Sequence, residues 1–227
     1  MVNYEDQIRL FNQIGSSIKK NIECFAFGGT AMMFYGYKDD TKDVDLLFEK
    51  EEERDEFLRV IKLLGFKERS IMGIYVSKKV KNKFAPLMFE AMDPRIDVSR
   101  IDVFLKKIFK AKLSPKMKED LFAIHEFRGE RFTLKVNVLR KEQIVLLKAV
   151  TERTNDFDDI LNILEKETNF DWQYFFDEVW WQYNRGNDWI VLDVERTILE
   201  LKKYIFIPQK FLDQIYNPPG GKKASKE

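Results

Sequence analysis

The chain has 227 residues, 39 Lys plus Arg against 38 Asp plus Glu, 44% hydrophobic residues and 14% aromatic ones. That composition supports one large or two small packed domains and excludes a disordered chain, while the even charge balance excludes a general pull towards nucleic acid, leaving only local patches. A single cysteine, Cys24, in an apolar run, and a single histidine, His125, exclude a disulfide framework and any multi-Cys or multi-His zinc site. Triads built on histidine have almost nothing to work with, so an enzyme made from this chain must use carboxylates.

The start, Met1-Val2-Asn3-Tyr4-Glu5-Asp6, is acidic and lacks the basic and apolar regions of a signal peptide. No apolar stretch approaches the ~18–20 residues that span a bilayer. The expectation is a cytoplasmic protein without a membrane partner. Ile8, Phe11, Ile14 and Ile18 recur at helical spacing over residues 4–20 and predict an amphipathic first helix. Ile22 to Phe27 predicts a buried strand that feeds a turn at Gly28-Gly29, with Thr30 capping a short helix from Ala31 to Tyr35 that Gly36 closes. A polar loop leads to a strand at Val44–Phe48, then a helix from Glu51 to Leu64 stopped by Gly65; the charge run Glu49–Glu56 reads as its solvated face.

Residues 66–104 alternate enough to give several more strands, ending at Ile101-Asp102-Val103-Phe104. Within them Lys78–Lys83, four Lys in six residues, is a local basic patch, a solvated loop before it is a phosphate track. A helical stretch is expected over Lys106–Leu113, a loop at Ser114-Pro115, and a hairpin from Phe122 to Leu139 with Arg128-Gly129-Glu130 at its turn. Beyond Lys141 the period becomes 3.6 and stays helical to about Tyr204. The expected organisation is a mixed α/β half over residues 1–140, an α-helical domain over 141–216 and a flexible, weakly basic tail over 217–227.

Chemistry concentrates in two short segments. Two glycines at a strand-to-helix turn let backbone approach a triphosphate without Cβ collisions, and the amides opening the next helix, with the Thr30 hydroxyl, can face phosphate oxygens. Asp43 and Asp45 lie at i and i+2, on one face of a strand, and offer two hard oxygen ligands to a divalent cation.

The order strand, Gly28-Gly29-Thr30, short helix, polar loop, Asp43-Val44-Asp45 resembles the nucleotidyltransferase superfamily that includes DNA polymerase β, and within it the minimal prokaryotic branch near AbiEii-type toxins and their archaeal relatives. The resemblance implies an α+β fold, a nucleotidyltransferase-type small mixed sheet with flanking helices followed by an α-helical C-terminal domain. It implies Mg2+ or Mn2+ held by Asp43 and Asp45, ATP or another NTP seated on Gly28, Gly29 and Thr30, and transfer of an NMP to a hydroxyl of a tRNA, a protein or a small molecule. It also implies a third carboxylate as base and metal ligand: Asp102, flanked by Ile101 and Val103, is favoured over Asp97, which follows Met92-Asp93-Pro94. A toxin paired with an antitoxin partner is a further implication.

Lys148, on the apolar run Ile144–Val150, followed by Arg153, Asp156 and Asp159, resembles the helical element of the AbiEii-like proteins. There Lys148 would neutralise a nucleotide phosphate and Asp159 or Asp156 complete the pocket; the competing reading is a set of surface pairs at a helix junction. The aromatics Phe170, Trp172, Tyr174, Phe175, Phe176, Trp180 and Trp181 read as a helix interface in preference to a base-stacking platform, and His125 as a structural or surface residue on a strand. A non-catalytic protein that holds a nucleotide or a partner on the same fold is the alternative.

Overall fold

The computed structural model describes residues 1–69, 86–151 and 154–217. The basic run Lys78–Lys83, Arg153 and the tail from Pro218 lie outside the described residues. The chain divides into two compact units, one of Met1–Leu113 with Asp120–Leu139, the other of Ser114–Glu119 with the chain from Arg140 onward.

The first unit is α+β. Its elements are β1 (Val2–Asn3), α1 (Tyr4–Ser17), β2 (Ile22–Ala26), α2 (Gly28–Tyr35), β3 (Asp40–Thr41), β4 (Val44–Phe48), α3 (Glu51–Leu63), β5 (Phe66–Arg69), β6 (Leu87–Ala91) and β7 (Arg100–Leu105), with β8 (Leu121–Arg128) and β9 (Thr133–Leu139) returning after the excursion into the second unit. Among the described residues, seven strands form a mixed sheet in the order β5-β6-β7-β4-β2-β9-β8, while β1 and β3 pair separately. The β4/β7 and β2/β9 contacts are parallel; β2/β4, β5/β6, β6/β7 and β8/β9 are antiparallel.

Alternation assigns the faces of this sheet. Val44, Leu46 and Phe48 of β4, Ile101, Val103 and Leu105 of β7, and Ile22, Cys24 and Ala26 of β2 all enter one buried cluster with Leu10, Phe11 and Ile14 of α1 and Phe57, Val60 and Ile61 of α3. Each large side chain so buried stabilises the fold by about 1.5–3 kcal/mol. The residues between them, Asp45 and Leu47, Asp102 and Phe104, therefore face the other way. Helix α1 starts at a reciprocal cap, with the Asp6 amide donating to Asn3 Oδ1 (2.9 Å) and the Asn3 amide to Asp6 Oδ2 (3.0 Å). Three glutamates open α3 and Lys62 closes it, each suited to the helix dipole.

Three local expectations are corrected. Residues 106–113 are not helical: Lys106 and Phe109 take φ of 60° and 52°, and Ile108 bridges Ala111. The loop expected at Ser114-Pro115 instead opens α4 (Pro115–Glu119), with the Ser114 hydroxyl accepting from the Met117 amide at 2.9 Å. Helix α2 begins at Gly28, earlier than expected, so Thr30 is inside its first turn and is not its cap; Phe27 holds that place without a side-chain hydrogen bond.

In the second unit α4 is followed by α5 (Lys141–Ala149), α6 (Thr154–Lys166), α7 (Trp172–Tyr183), α8 (Ile190–Leu201) and α9 (Gln209–Tyr216). Helix α5 packs on α6, α7 and α8, and α7 on α8 and α9. Trp172, Phe175, Phe176 and Trp180 are buried, with Phe170, Trp172, Phe175 and Phe176 in mutual edge or tilted contact, so these aromatics serve the interior. No helix of the described residues is long and apolar enough to cross a membrane.

Gly15 shows how closely α1 is seated. A Cβ there would lie 2.5 Å from the Phe127 carbonyl oxygen on β8. Alanine gains about 1 kcal/mol of helix propensity over glycine, yet a backbone carbonyl cannot yield as a flexible side chain can, and overpacking costs about 1–3 kcal/mol. Gly15→Ala is expected to destabilise the protein by up to about 2 kcal/mol in urea unfolding; a gain in stability would mean that the helix can slide off β8.

Candidate active site

The parallel register of β4 and β7 pairs Asp45 directly with Asp102. Both carboxylates stand on the sheet face opposite the apolar cluster, and Asp43 lies immediately before β4. Of the two candidates for the third carboxylate, Asp102 is thus the one beside Asp45. Asp97 is 55% exposed and accepts at 3.0 Å from Arg9 of α1, the helix that packs on the other face.

The glycine turn meets β4 at the same residue. Phe27 N donates to Asp45 O at 3.4 Å, and Asp45 N donates to Thr30 Oγ1 at 2.7 Å. Thr30 is fully buried and its hydroxyl accepts from the Asp45 amide, fixing β4 against α2. Gly28 has φ +55°, and a Cβ on it would lie 2.6 Å from Asp45 Oδ2; one on Gly29 would lie 2.2 Å from Thr41 Oγ1. Both positions need glycine because acidic and hydroxyl side chains crowd the turn. With no side-chain cap, the amides of Gly28, Gly29 and Thr30 open α2 without intrahelical acceptors, beside Asp45.

Arg100 is the site residue missed in the sequence. Its Nε donates to Asp102 Oδ1 at 2.8 Å, its Nη2 to Asp102 Oδ2, and the same Nη2 lies 3.5 Å from Asp43 Oδ2. The hydrogen bond donated to Asp102, then the fields of Asp102, Asp43 and Asp45, hold this guanidinium above its ordinary value against the opposing effect of burial. The signal for it was present: Arg100 and Asp102 stand at i and i+2, the spacing that also relates Asp43 to Asp45.

Three aspartates supply hard oxygen donors of the kind Mg2+ and Mn2+ prefer, next to uncapped helix amides, so the residues suit such an ion. As the side chains stand, no group of three or more His, Cys, Asp or Glu among the described residues is disposed to hold a metal. Asp102 and Asp43 are instead engaged by Arg100.

Lys148 and Asp159 belong to the second unit, where they pair with each other. Lys148 Nζ donates to Asp156 Oδ1 and Asp159 Oδ2, both at 2.7 Å, joining α5 to α6 with the lysine only 7% exposed. Burial pulls this lysine down, but Asp159 and Asp156 more than offset it and the net direction is up. Burial pushes the Cys24 thiol up, as suits an inert core residue. His125 stacks on Phe34 with ring centroids 4.4 Å apart and is shifted down by burial, a structural place.

No protein-family model matches the chain, and no curated protein matches it in sequence. Two solved structures resemble it over most of its length. An antigenic nucleotidyltransferase-like protein from Paracoccidioides brasiliensis gives a TM-score of 0.44 at 12% identity over 89% of this chain and 90% of that one. JHP933 from Helicobacter pylori gives 0.42 at 13% identity over 95% of this chain and 90% of that one.

The buried cluster carries its own test. Removing one partner of a buried ion pair costs about 3–5 kcal/mol, whereas replacing the whole set by neutral groups costs much less. Lys148→Met is expected to lose about that much in urea unfolding, with part restored in Lys148→Met/Asp156→Asn/Asp159→Asn. Because the folded lysine sits above its ordinary value, its stabilisation is complete below 10.5 and fades as pH rises through the folded value. The gap between wild type and Lys148→Met should therefore stay level to about pH 10 and narrow above it; a gap that narrows near neutrality would show that another group governs the junction.

Proposed function

We propose that this chain is a metal-dependent nucleotidyltransferase that moves an NMP from an NTP to a hydroxyl. The observation that carries the reading is the parallel register of Asp45 and Asp102, with Asp43 at the head of the same strand and the uncapped Gly28-Gly29 turn against Asp45.

Asp43 and Asp45 would hold the divalent ion, which when bound supplies positive charge to the triphosphate and to the departing pyrophosphate. The amides of Gly28, Gly29 and Thr30 take phosphate oxygens at the start of α2 and fix the α-phosphorus for attack. Asp102 accepts the proton of the acceptor hydroxyl. The freed oxygen forms a bond to the α-phosphorus while the bond to the β-phosphate oxygen breaks, its electron pair leaving on pyrophosphate. The acceptor is a hydroxyl of a tRNA, a protein or a small molecule, and a toxin role with an antitoxin partner belongs to the first two cases. Lys148, Asp156 and Asp159 fix the α5–α6 junction of the second unit.

One observation favours a second reading, that of a protein binding a nucleotide or a partner without catalysis: Arg100 already neutralises the carboxylate proposed as base. Label transfer separates the two. The protein is incubated with Mg2+, each α-labelled NTP, and RNA, protein or small-molecule fractions of a cell. Transfer is expected to one fraction, and to fall by about 100-fold or more in Asp102→Asn and below detection in Asp43→Asn/Asp45→Asn. Metal-dependent nucleotide binding with no transfer to any fraction would establish the second reading instead.

A further inference from the structure

We infer that Arg100 is a tethered counter-ion that competes with the divalent cation for the carboxylates, so that metal enters only by displacing its guanidinium. This inference rests on the metal-site reading above and adds a residue that sets the site's affinity.

The geometry points this way in three respects. The guanidinium meets Asp102 through two nitrogens, Nε and Nη2, and so engages both oxygens of that carboxylate. Its Nη2 reaches Asp43 as well, at 3.5 Å, and therefore spans a carboxylate on each of two segments, the head of β4 and the middle of β7. The side chain is 35% exposed, against 15% for Asp102 and 24% for Asp43, so the arginine is the most solvent-accessible of the three. A divalent ion within a few ångströms of a guanidinium is strongly repelled, so both cannot be held at full strength by the same oxygens. The arginine thereby holds the carboxylates together before metal arrives, and weakens the metal once it does.

A purely structural ion pair predicts the opposite result on mutation. If Arg100 only braced the site, its loss would loosen Asp102 and leave metal binding weaker or unchanged. If it competes, its loss leaves the carboxylates disposed towards a cation and tightens metal binding, while the metal-free protein becomes less stable.

The test uses Mn2+ alone as probe, with free ion counted by its paramagnetic resonance signal, on the full chain and on Arg100→Met, Arg100→Lys and Asp45→Asn. Arg100→Met is expected to bind roughly tenfold tighter than wild type, to melt lower without Mn2+, and to gain more in melting temperature at saturating Mn2+. Arg100→Lys, which keeps the charge and loses the two-pronged contact, should fall between them, and it carries the same test should Arg100→Met fail to fold. Mn2+ binding that Asp45→Asn abolishes, but that neither arginine variant tightens, overturns the inference and leaves the metal site standing. No Mn2+ binding by wild type or by either arginine variant overturns both.

Discussion

Like charge on neighbouring strands is the constraint around which the first unit is arranged. Adjacent strands lie about 4.8 Å apart, and two carboxylates at ~5 Å repel by about 3 kcal/mol at an effective dielectric constant near 20. The sheet nevertheless sets Asp45 against Asp102. It can do so because the opposite face leaves no choice. Val44, Leu46 and Phe48 of β4 and Ile101, Val103 and Leu105 of β7 are all essentially buried, and a slip of one residue would turn them to the opposite face and drive the aspartates into this cluster. Burial of apolar surface thus holds in place an electrostatic arrangement that would not form by itself, and Arg100 relieves it locally.

The glycine turn obeys the same geometry from the other side. Asp45 lies so close to Gly28, and Thr41 to Gly29, that any side chain at either glycine would meet an oxygen at 2.6 or 2.2 Å. Thr30 completes the fit by accepting from the Asp45 amide. The short helix, the loop after it and the second strand therefore form one locked piece. The usual account of such glycines, clearance for a phosphate, is joined here by clearance for the protein's own aspartate.

Much of this was legible in the chain. Val44–Phe48 could be read as a strand because it is a short apolar run broken by a single acid, buried on both faces with Leu47 on the side of Asp45, and Gly36 because a left-handed residue, here at φ 73°, ends a helix. What escaped did so for identifiable reasons. Leu105, Ile108, Phe109 and Leu113 follow a helical period, yet the chain turns left-handed at Lys106 and Phe109, and local pattern carries no trace of that. Arg100 has no apolar pattern that marks it, although the i, i+2 rule that joins Asp43 to Asp45 applies equally to it and Asp102. Thr30 looked like a cap because β4, whose amide it binds, arrives 15 residues later.

The second unit follows a different logic, since its interior holds polar groups that only tertiary structure can satisfy. Lys148 reaches carboxylates 8 and 11 residues on in α6, Gln143 donates to Met117 O of α4 and to Tyr174 of α7, and Ser114 donates to Glu178 of α7. Each such group is costly to bury unpaired, and pairs of this kind add little net stability over apolar residues of the same size. What they do contribute is selectivity among arrangements: a helix displaced by one turn would strand an ammonium, an amide or a carboxylate away from its partner. Helix α5, whose residues from Glu142 to Ala149 are all buried, could otherwise rotate or slide among apolar neighbours at little cost. The polar contacts remove that freedom, so α5 acquires a defined register only once α6 and α7 are in place.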